Sequence, residues 1–489
     1  MRLRWPQLLA SIPLADVELR AVSDSAKGTR AETDVRLAGD FALMTAQAFF
    51  SASSRDGLIA SLVELGRRDA DGDLLGPLHA TQFQLGDVAT PSMTLGLRGA
   101  SGRGAFITNQ PLEQASVFDR VDLRGVLPDG YEVELYRNNV LLGSTALATN
   151  GQYEFLEVPV DYGLNVFRLV FYGPQGQRRE EVRRISVGDG RLSAGEFHYS
   201  FGAVQRGVNL LGVEGPDFRP SLRHGDWQGS ADLAYGLNAG LTAVASAALY
   251  EDSGDRRWIA STGLRTGLGG LALRGDAGFS DGGGSAIGLG LGGRVLGGAF
   301  ALSHFEYGGG FADEVHSLDS AALARASEFD FNTSLLLGSE ADGTFLPIST
   351  RLRHAEYADG RTRTSAGLRG SARLAGMMVS NTLDYLRNSG PGGIGFSQLV
   401  GNFDLATFNR SDTQLRGSLG YRMLPDPALV QVSANVVHRL DDDTVISGTT
   451  SYSLEAKDLA LGLSGVRQFD RFSAALDGQY SFRQQSYAV

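Results

Sequence analysis

A chain of 489 residues with a formal charge of −11 and no cysteine excludes a disulfide framework, cysteine-ligated metals and thiol chemistry, and its acidic balance argues against nucleic acid as the partner. Glycine supplies 65 residues, roughly 13% against a usual ~7%, and it is spread through alternating apolar and polar segments instead of being gathered into linkers. No run approaches the roughly 18 consecutive apolar residues of a membrane-spanning helix, so any crossing of a membrane must use strands.

The first residues carry Arg2 and Arg4 ahead of a short apolar stretch broken by Pro6 and Pro13, a poor export signal. Period-2 strands are then predicted over Asp16–Val22, Glu32–Ala38, Phe41–Phe50, Ile59–Leu65 and Thr81–Asp87. Gly57–Arg67 could be helical by composition, but the density of turn residues favours a strand. Asp69-Ala-Asp-Gly-Asp73 resembles the opening of a calcium loop without its downstream bidentate Glu, and a hairpin turn is the better reading. Ser92–Gly99 and Gly104–Asn109 follow.

From Ser116 to Val187 the texture changes. Short strands are predicted over Arg120–Gly125, Gly130–Arg137, Asn150–Phe155, Leu164–Tyr172 and Glu180–Val187. Turn residues separate them at Pro128-Asp-Gly, Asn138-Asn139, Asn150-Gly151, Asp161–Gly163 and Gly173–Gly176. A β-sandwich of this size is small but feasible. Its core is expected from Leu123, Val133, Leu135, Tyr153, Phe155, Phe167, Leu169 and Phe171, with Arg137, Glu180, Glu181, Arg183 and Arg184 as candidate contacts to the surrounding wall.

After Gly190 the alternation resumes and runs to the end. Leu271, Leu273, Gly275, Ala277 and Phe279 oppose Arg274 and Asp276; Trp258, Ala260, Thr262, Leu264 and Leu268 oppose Ser261, Gly263 and Arg265. Leu415, Gly417, Leu419 and Tyr421 oppose Arg416, Ser418 and Arg422, and Phe472 to Phe482 repeats the pattern. Strands of about ten residues with one apolar and one polar face suit a transmembrane barrel, because only a closed sheet leaves no backbone group facing lipid. Aromatics near strand ends (Tyr199, Phe201, Tyr235, Tyr250, Trp258, Phe279, Tyr307, Tyr357, Tyr421, Tyr452 and Tyr480) suit an interfacial girdle. Gly308–Ser327 and Arg387–Ser397 read as loops, with one or two helical turns expected in Ser317–Glu328. The count is roughly six strands before the odd segment and about seventeen after it.

The expectation is therefore all-β: a large antiparallel barrel of about two dozen strands, formed by residues 14–115 and 189–489, with an Ig-like sandwich inserted at 116–188 as a plug. Both ends of that insertion must return to one sheet, which puts it at the mouth or in the lumen.

Reactive motifs are weak. Gly288-Leu-Gly-Leu-Gly-Gly293 matches a dinucleotide fingerprint formally, but no helix follows, and a glycine strand facing the lumen is the better reading. The seven histidines lack metal-ligand spacing, and neither Lys27 nor Lys457 sits in a phosphate loop. No nucleophile, base and oxyanion site assembles, so no enzyme activity, cofactor or metal is expected.

Several segments resemble the middle of outer-membrane ushers of the chaperone–usher pathway. They are Gln84-Leu-Gly-Asp-Val, Met93-Thr-Leu-Gly-Leu-Arg-Gly, Phe118-Asp-Arg-Val-Asp-Leu-Arg-Gly-Val, Tyr131–Thr145, Gly151–Val160, Leu164–Phe171 and Gly190-Arg-Leu-Ser-Ala-Gly-Glu-Phe-His-Tyr-Ser-Phe-Gly. The resemblance is strongest from about Gln84 to Phe201. It implies a pore in the bacterial outer membrane, surrounded by its lipid, that secretes and assembles fimbrial subunits delivered by a periplasmic chaperone, with no small-molecule substrate. Ushers also carry periplasmic domains at both ends, for which strands running from near Leu14 to Tyr487 leave no room. Two other readings stand beside it: an outer-membrane porin whose sandwich is a binding module, and a soluble all-β carbohydrate-active protein.

Overall fold

The computed structural model describes residues 7–25, 28–112, 120–127, 131–137, 140–145, 152–160, 163–172, 178–187, 190–216, 218–221, 223–252, 254–317, 321–337, 344–374, 376–391, 395–407, 412–441, 443–470 and 472–489. Among them, strands dominate, and the one helical element is the 3-10 turn Gly76–Leu78. The turns expected at 128–130, 138–139, 150–151, 161–162 and 173–176 lie outside the described residues.

A single antiparallel sheet of 24 strands forms the wall. Six strands precede residue 120 and eighteen follow residue 190, one more than expected, because the short strand Ser486–Ala488 adds to the ring. Neighbours in sequence are neighbours in the sheet, and the order crosses the insertion unbroken: Ser101–Thr108 pairs directly with Phe197–Arg206, with Ser200 opposite Thr108. At the other seam Asp24 pairs with Ala488, and Ser23 and Val489 exchange two backbone hydrogen bonds of 2.7 and 2.8 Å. Backbone bonds of Ser23 and Ser25 to Tyr487 and Val489 thus nearly close the ring, while among the described residues Leu14–Val22 pairs along one side only.

Strand side chains alternate between two environments. In Ser285–Val295, Ile287 and Leu289 point outward, each 64% exposed, while Ala286, Gly288, Gly290 and Gly292 are buried on the inner side. Gly288 and Gly290 lack side chains for a reason of space: a Cβ at either position would overlap the Phe305 ring or the Arg274 side chain. The outward set, including Leu249, Leu264, Leu289, Leu463 and Leu476, is a broad apolar surface that only a nonpolar surrounding would cover. The region 57–67 is the strand Gly57–Arg68. The helical turns expected in 317–328 are not there: Leu323–Glu328 belongs to the strand Leu323–Leu337, whose register against Thr344–Tyr357 begins at Leu323, and 318–320 lie outside the described residues.

The aromatic girdle is corrected in part. Phe201, Tyr235, Trp258, Phe279, Tyr452 and Tyr480 are exposed on the outside. Tyr250, Tyr307 and Tyr357 have the parity of the inner face and are covered there, and Tyr199 is capped by a loop whose Leu78 carbonyl accepts its hydroxyl at 2.8 Å. Period-2 spacing sorts residues into two faces, but an aromatic at a strand end satisfies either face.

Residues 120–187 form two further sheets. One holds Arg178–Val187, Gly163–Tyr172, Glu132–Arg137 and Val140–Thr145 in that order; the other pairs Arg120–Val126 with Gln152–Pro159. One buried cluster joins them, made of Leu123, Leu127, Val133, Leu135, Tyr153, Val158, Val160, Phe167, Leu169 and Phe171, with Phe155 half-buried at its margin. Tyr153 lies over Gly125, where any Cβ would strike its ring at 2.7 Å, and its phenol is pushed up to about 12 by burial, against the pull of the Arg183 guanidinium.

Candidate translocation lumen

Every strand that shows an aliphatic to the outside shows its alternate residues to the inside, and these are polar over much of the ring and apolar where Ala248, Tyr250, Ile259 and Phe305 cluster. On the arc Trp227–Gly308 the buried inward charges have partners, not all of them charged: Asp232 accepts from the Ser246 hydroxyl. Arg265 meets Asp276 at 2.8 Å with both side chains buried, and the Arg274 guanidinium lies over the Phe305 ring at 5.6 Å. Unpaired charges at such burial would cost several kcal/mol.

This arc is covered by an inward hairpin, residues 90–100, between the strands Gln82–Ala89 and Ser101–Thr108. Thr90 N–H donates to Ala100 O at 2.9 Å and Met93 N–H to Leu97 O at 3.0 Å. Gly96, at φ +129°, turns the tip against the Ile259 side chain. Met93, Leu95 and Leu97 pack with Ala248, Tyr250, Ile259, Ala286, Phe305 and Phe311. The wall also grips the hairpin backbone: Ser230 donates to Pro91 O at 2.8 Å and Gln228 to Arg98 O at 2.8 Å. Glu314, from the loop after Gly298–Gly308, accepts from Arg98 N–H at 3.3 Å and pairs with Arg223 and Arg206. Burial holds the Arg223 guanidinium below its ordinary range. In the same loop Asp313 accepts from His316 at 2.8 Å and from the Tyr307 hydroxyl at 2.7 Å; burial works against its charge, and the His316 contact more than offsets that and holds the carboxyl low.

The hairpin in turn holds the inserted sheets. Ser92 donates to Asp122 at 2.9 Å, Arg124 donates to Gly99 O at 3.0 Å, and Glu154 accepts from Ser101 at 2.7 Å. A second set of contacts joins the insert to other parts of the wall. Arg416 donates to Glu134 at 3.0 Å and lies over the Tyr172 ring at 4.9 Å; Arg369 donates to Leu142 O at 2.7 Å; Arg137 donates to Asn332 at 2.6 Å. Leu368 and Leu415, the chain neighbours of Arg369 and Arg416, are exposed on the outside, so these contacts lie on the inner face. Glu134 also accepts from the Tyr136 and Tyr172 hydroxyls at 2.7 and 2.8 Å. Burial first, then the adjacent Glu134 carboxylate, pushes the Tyr136 phenol up, which keeps it a donor. At a further point the Tyr131 phenol is raised by burial and by Glu18 of the first strand.

Of the charges expected to meet the wall, Arg137 reaches Asn332. The others face their own module. Glu180 is 3.9 Å from Arg168, Glu181 is 2.8 Å from Arg183, Arg183 also donates to the Tyr153 hydroxyl at 3.2 Å, and Arg184 is exposed. Sequence reading missed Glu134, Arg369, Arg416, Asn332 and the whole hairpin. The signal for Glu134 and Tyr136 was their alternation with Val133 and Leu135, which sets them on the face away from the core. Among the described residues no three His, Asp or Glu side chains gather as a metal site, and Asp69–Asp73 is a turn in which Asp71 N–H donates to Asp69 at 2.9 Å.

No protein-family model matches the chain, and a comparison with curated proteins finds no match. Solved structures do match. The P pilus usher (PapC) translocation pore aligns over 97% of this chain and 97% of its own, with a TM-score of 0.51 at 10% identity. The fold is that of an usher translocation pore. The Escherichia coli P pilus tip assembly intermediate PapC-PapD-PapK-PapG aligns over 99% of this chain and 61% of the matched one, with a TM-score of 0.57 at 11% identity. The likeness is one of fold, at 10–11% identity.

Proposed function

We propose that this chain is an outer-membrane pore of usher type, through which folded pilus subunits delivered by a periplasmic chaperone pass, and that residues 116–188 are its plug. The observation that carries the reading is how the inserted sheets are held. They have their own core and touch the ring through hydrogen bonds and the Glu134–Arg416 ion pair, with no strand pairing to the wall among the described residues. Such contacts exchange readily for water, each worth about 0.5–1.5 kcal/mol net for neutral pairs and somewhat more for charged ones, so the module can leave without unfolding. Much of the lumen lining is Ser, Gly, Asn and charged residues, and the inner apolar cluster lies under the hairpin, away from a passing protein.

The test is surface display. Cells that express a cognate chaperone and pilus subunit are expected to expose the subunit to antibody at the cell surface only when this chain is present. Subunit that stays periplasmic with the barrel correctly inserted would contradict the secretion role.

A further inference from the structure

The inner face is not covered evenly. On the arc Trp227–Gly308 it is buried: the strand Leu271–Ser280 alternates with Ala272, Arg274, Asp276 and Gly278 all buried. On the arc Ala428–Ser481 both faces are open. Leu463 and Leu476 mark the outside, each 71% exposed, yet the inward residues Gln431, Thr449, Ser473, Ala475 and Gln479 are exposed as well, and Ser433, Asn435, Ser447, Ser464 and Asp477 are half-exposed instead of buried. This arc begins at the strand next to Arg416, where the insert meets the ring through Glu134.

Size supports the same conclusion. A 24-stranded ring with strands about 4.8 Å apart and tilted about 40° is about 48 Å across its backbone, or about 38 Å inside its side chains. A compact module of about 70 residues is about 29 Å across. The module is too small to fill the ring.

We infer that a water-filled path runs beside the seated insert along the wall Ala428–Ser481 and conducts small uncharged hydrophilic solutes. Its lining selects the class. Gln431, Asn435, Thr449 and Gln479 offer amide and hydroxyl groups that exchange hydrogen bonds with a sugar-like solute, and Asn435 to Thr449 at 2.8 Å shows the spacing of these groups. Arginine, which lines the preceding strands at Arg351, Arg353, Arg369 and Arg416, the last directly across from Asn435, is not among the inward residues of the strand interiors here. The inference rests on the insert lying within the lumen and adds a second, constitutive activity to the gated one.

The absence of native cysteine makes the test clean. Glu134→Cys with Arg416→Cys, joined by a short bis-maleimide, locks the insert; Arg137→Cys with Asn332→Cys is the second lock. Folded protein is selected by its heat-modifiable mobility and placed in liposomes, and swelling is read in a monosaccharide and in a tetrasaccharide. Locked protein is expected to keep at least half of the unlocked monosaccharide rate. A charged thiol reagent on an added Thr449→Cys or Gln479→Cys is expected to lower that rate at least fivefold, and on Leu463→Cys to leave it unchanged. Locked liposomes that do not swell, or thiol modification at both inward positions without effect, would overturn the side path. The gate is judged separately: removal of residues 118–187 should admit the tetrasaccharide, and equal tetrasaccharide rates in locked and deleted protein would defeat the plug reading while leaving the side path standing.

Discussion

Removing residues 118–187 is expected to leave a folded barrel whose single-channel conductance in planar bilayers is roughly two- to threefold higher. The magnitude follows from cross-sections: an opening about 38 Å wide that loses an obstruction about 29 Å wide gains roughly that factor in area. The barrel should survive because Ser101–Thr108 pairs with Phe197–Arg206 without help from the insert, and a short linker spans the gap. The cost falls on the hairpin, which loses Asp122, Arg124 and Glu154 as partners. It keeps Met93, Leu95 and Leu97 in their apolar pocket, so the extra lumen should stay open instead of refilling. Unchanged conductance would remove the plug from the account.

The second large effect is expected from one side chain. Arg416→Glu turns the ion pair with Glu134 into a like-charge contact and takes the guanidinium off the Tyr172 ring. Arg416 is 46% exposed along its side chain, so the gross interaction is screened, and a shift of about 2 kcal/mol is appropriate for a partly buried pair. That corresponds to roughly a thirtyfold change in the ratio of open to closed channels. Long openings should become frequent in Arg416→Glu and rare again in the swap Glu134→Arg/Arg416→Glu. A merely destabilised barrel would show no rescue by the swap. If the single variant gates like the parent, Glu134–Arg416 does not hold the insert.

The parts of this protein that were legible in its sequence are those governed by local periodicity. Hydrocarbon on one side and water on the other force an alternation with period 2, and Leu271–Ser280 or Ser285–Val295 carry it plainly. The glycines of Ser285–Val295 were legible as inward residues, though not the reason, which is the ring of Phe305 across the strand pair. The inward hairpin was not legible. Met93, Leu95 and Leu97 alternate as a strand's residues do, and only the sheet's route reveals that they turn into the lumen. Tyr250, Tyr307 and Tyr357 failed for the same reason, since parity within a strand does not say which parity faces out when both hold large residues. The contacts of the insert were least accessible. Glu134 and Arg416 are 282 positions apart, and no pattern within either strand links them.

The inserted module was recognisable by its turns and dense strands, and its apolar residues lie in one cluster. Its charges misled because most of them, Glu181 and Arg183 among them, pair across their own sheet surface. A small module with its own core satisfies much of its charge within itself, and Arg137 and Glu134 are among the few side chains that reach the wall.

The central claim is that this chain is a closed membrane barrel, and mobility in a denaturing gel tests it most directly. Outer-membrane fractions loaded without heating should give a fast, compact band that moves to the position of a 52.0 kDa chain after boiling. A single band unchanged by heat, from protein recovered in the soluble fraction without detergent, would contradict it.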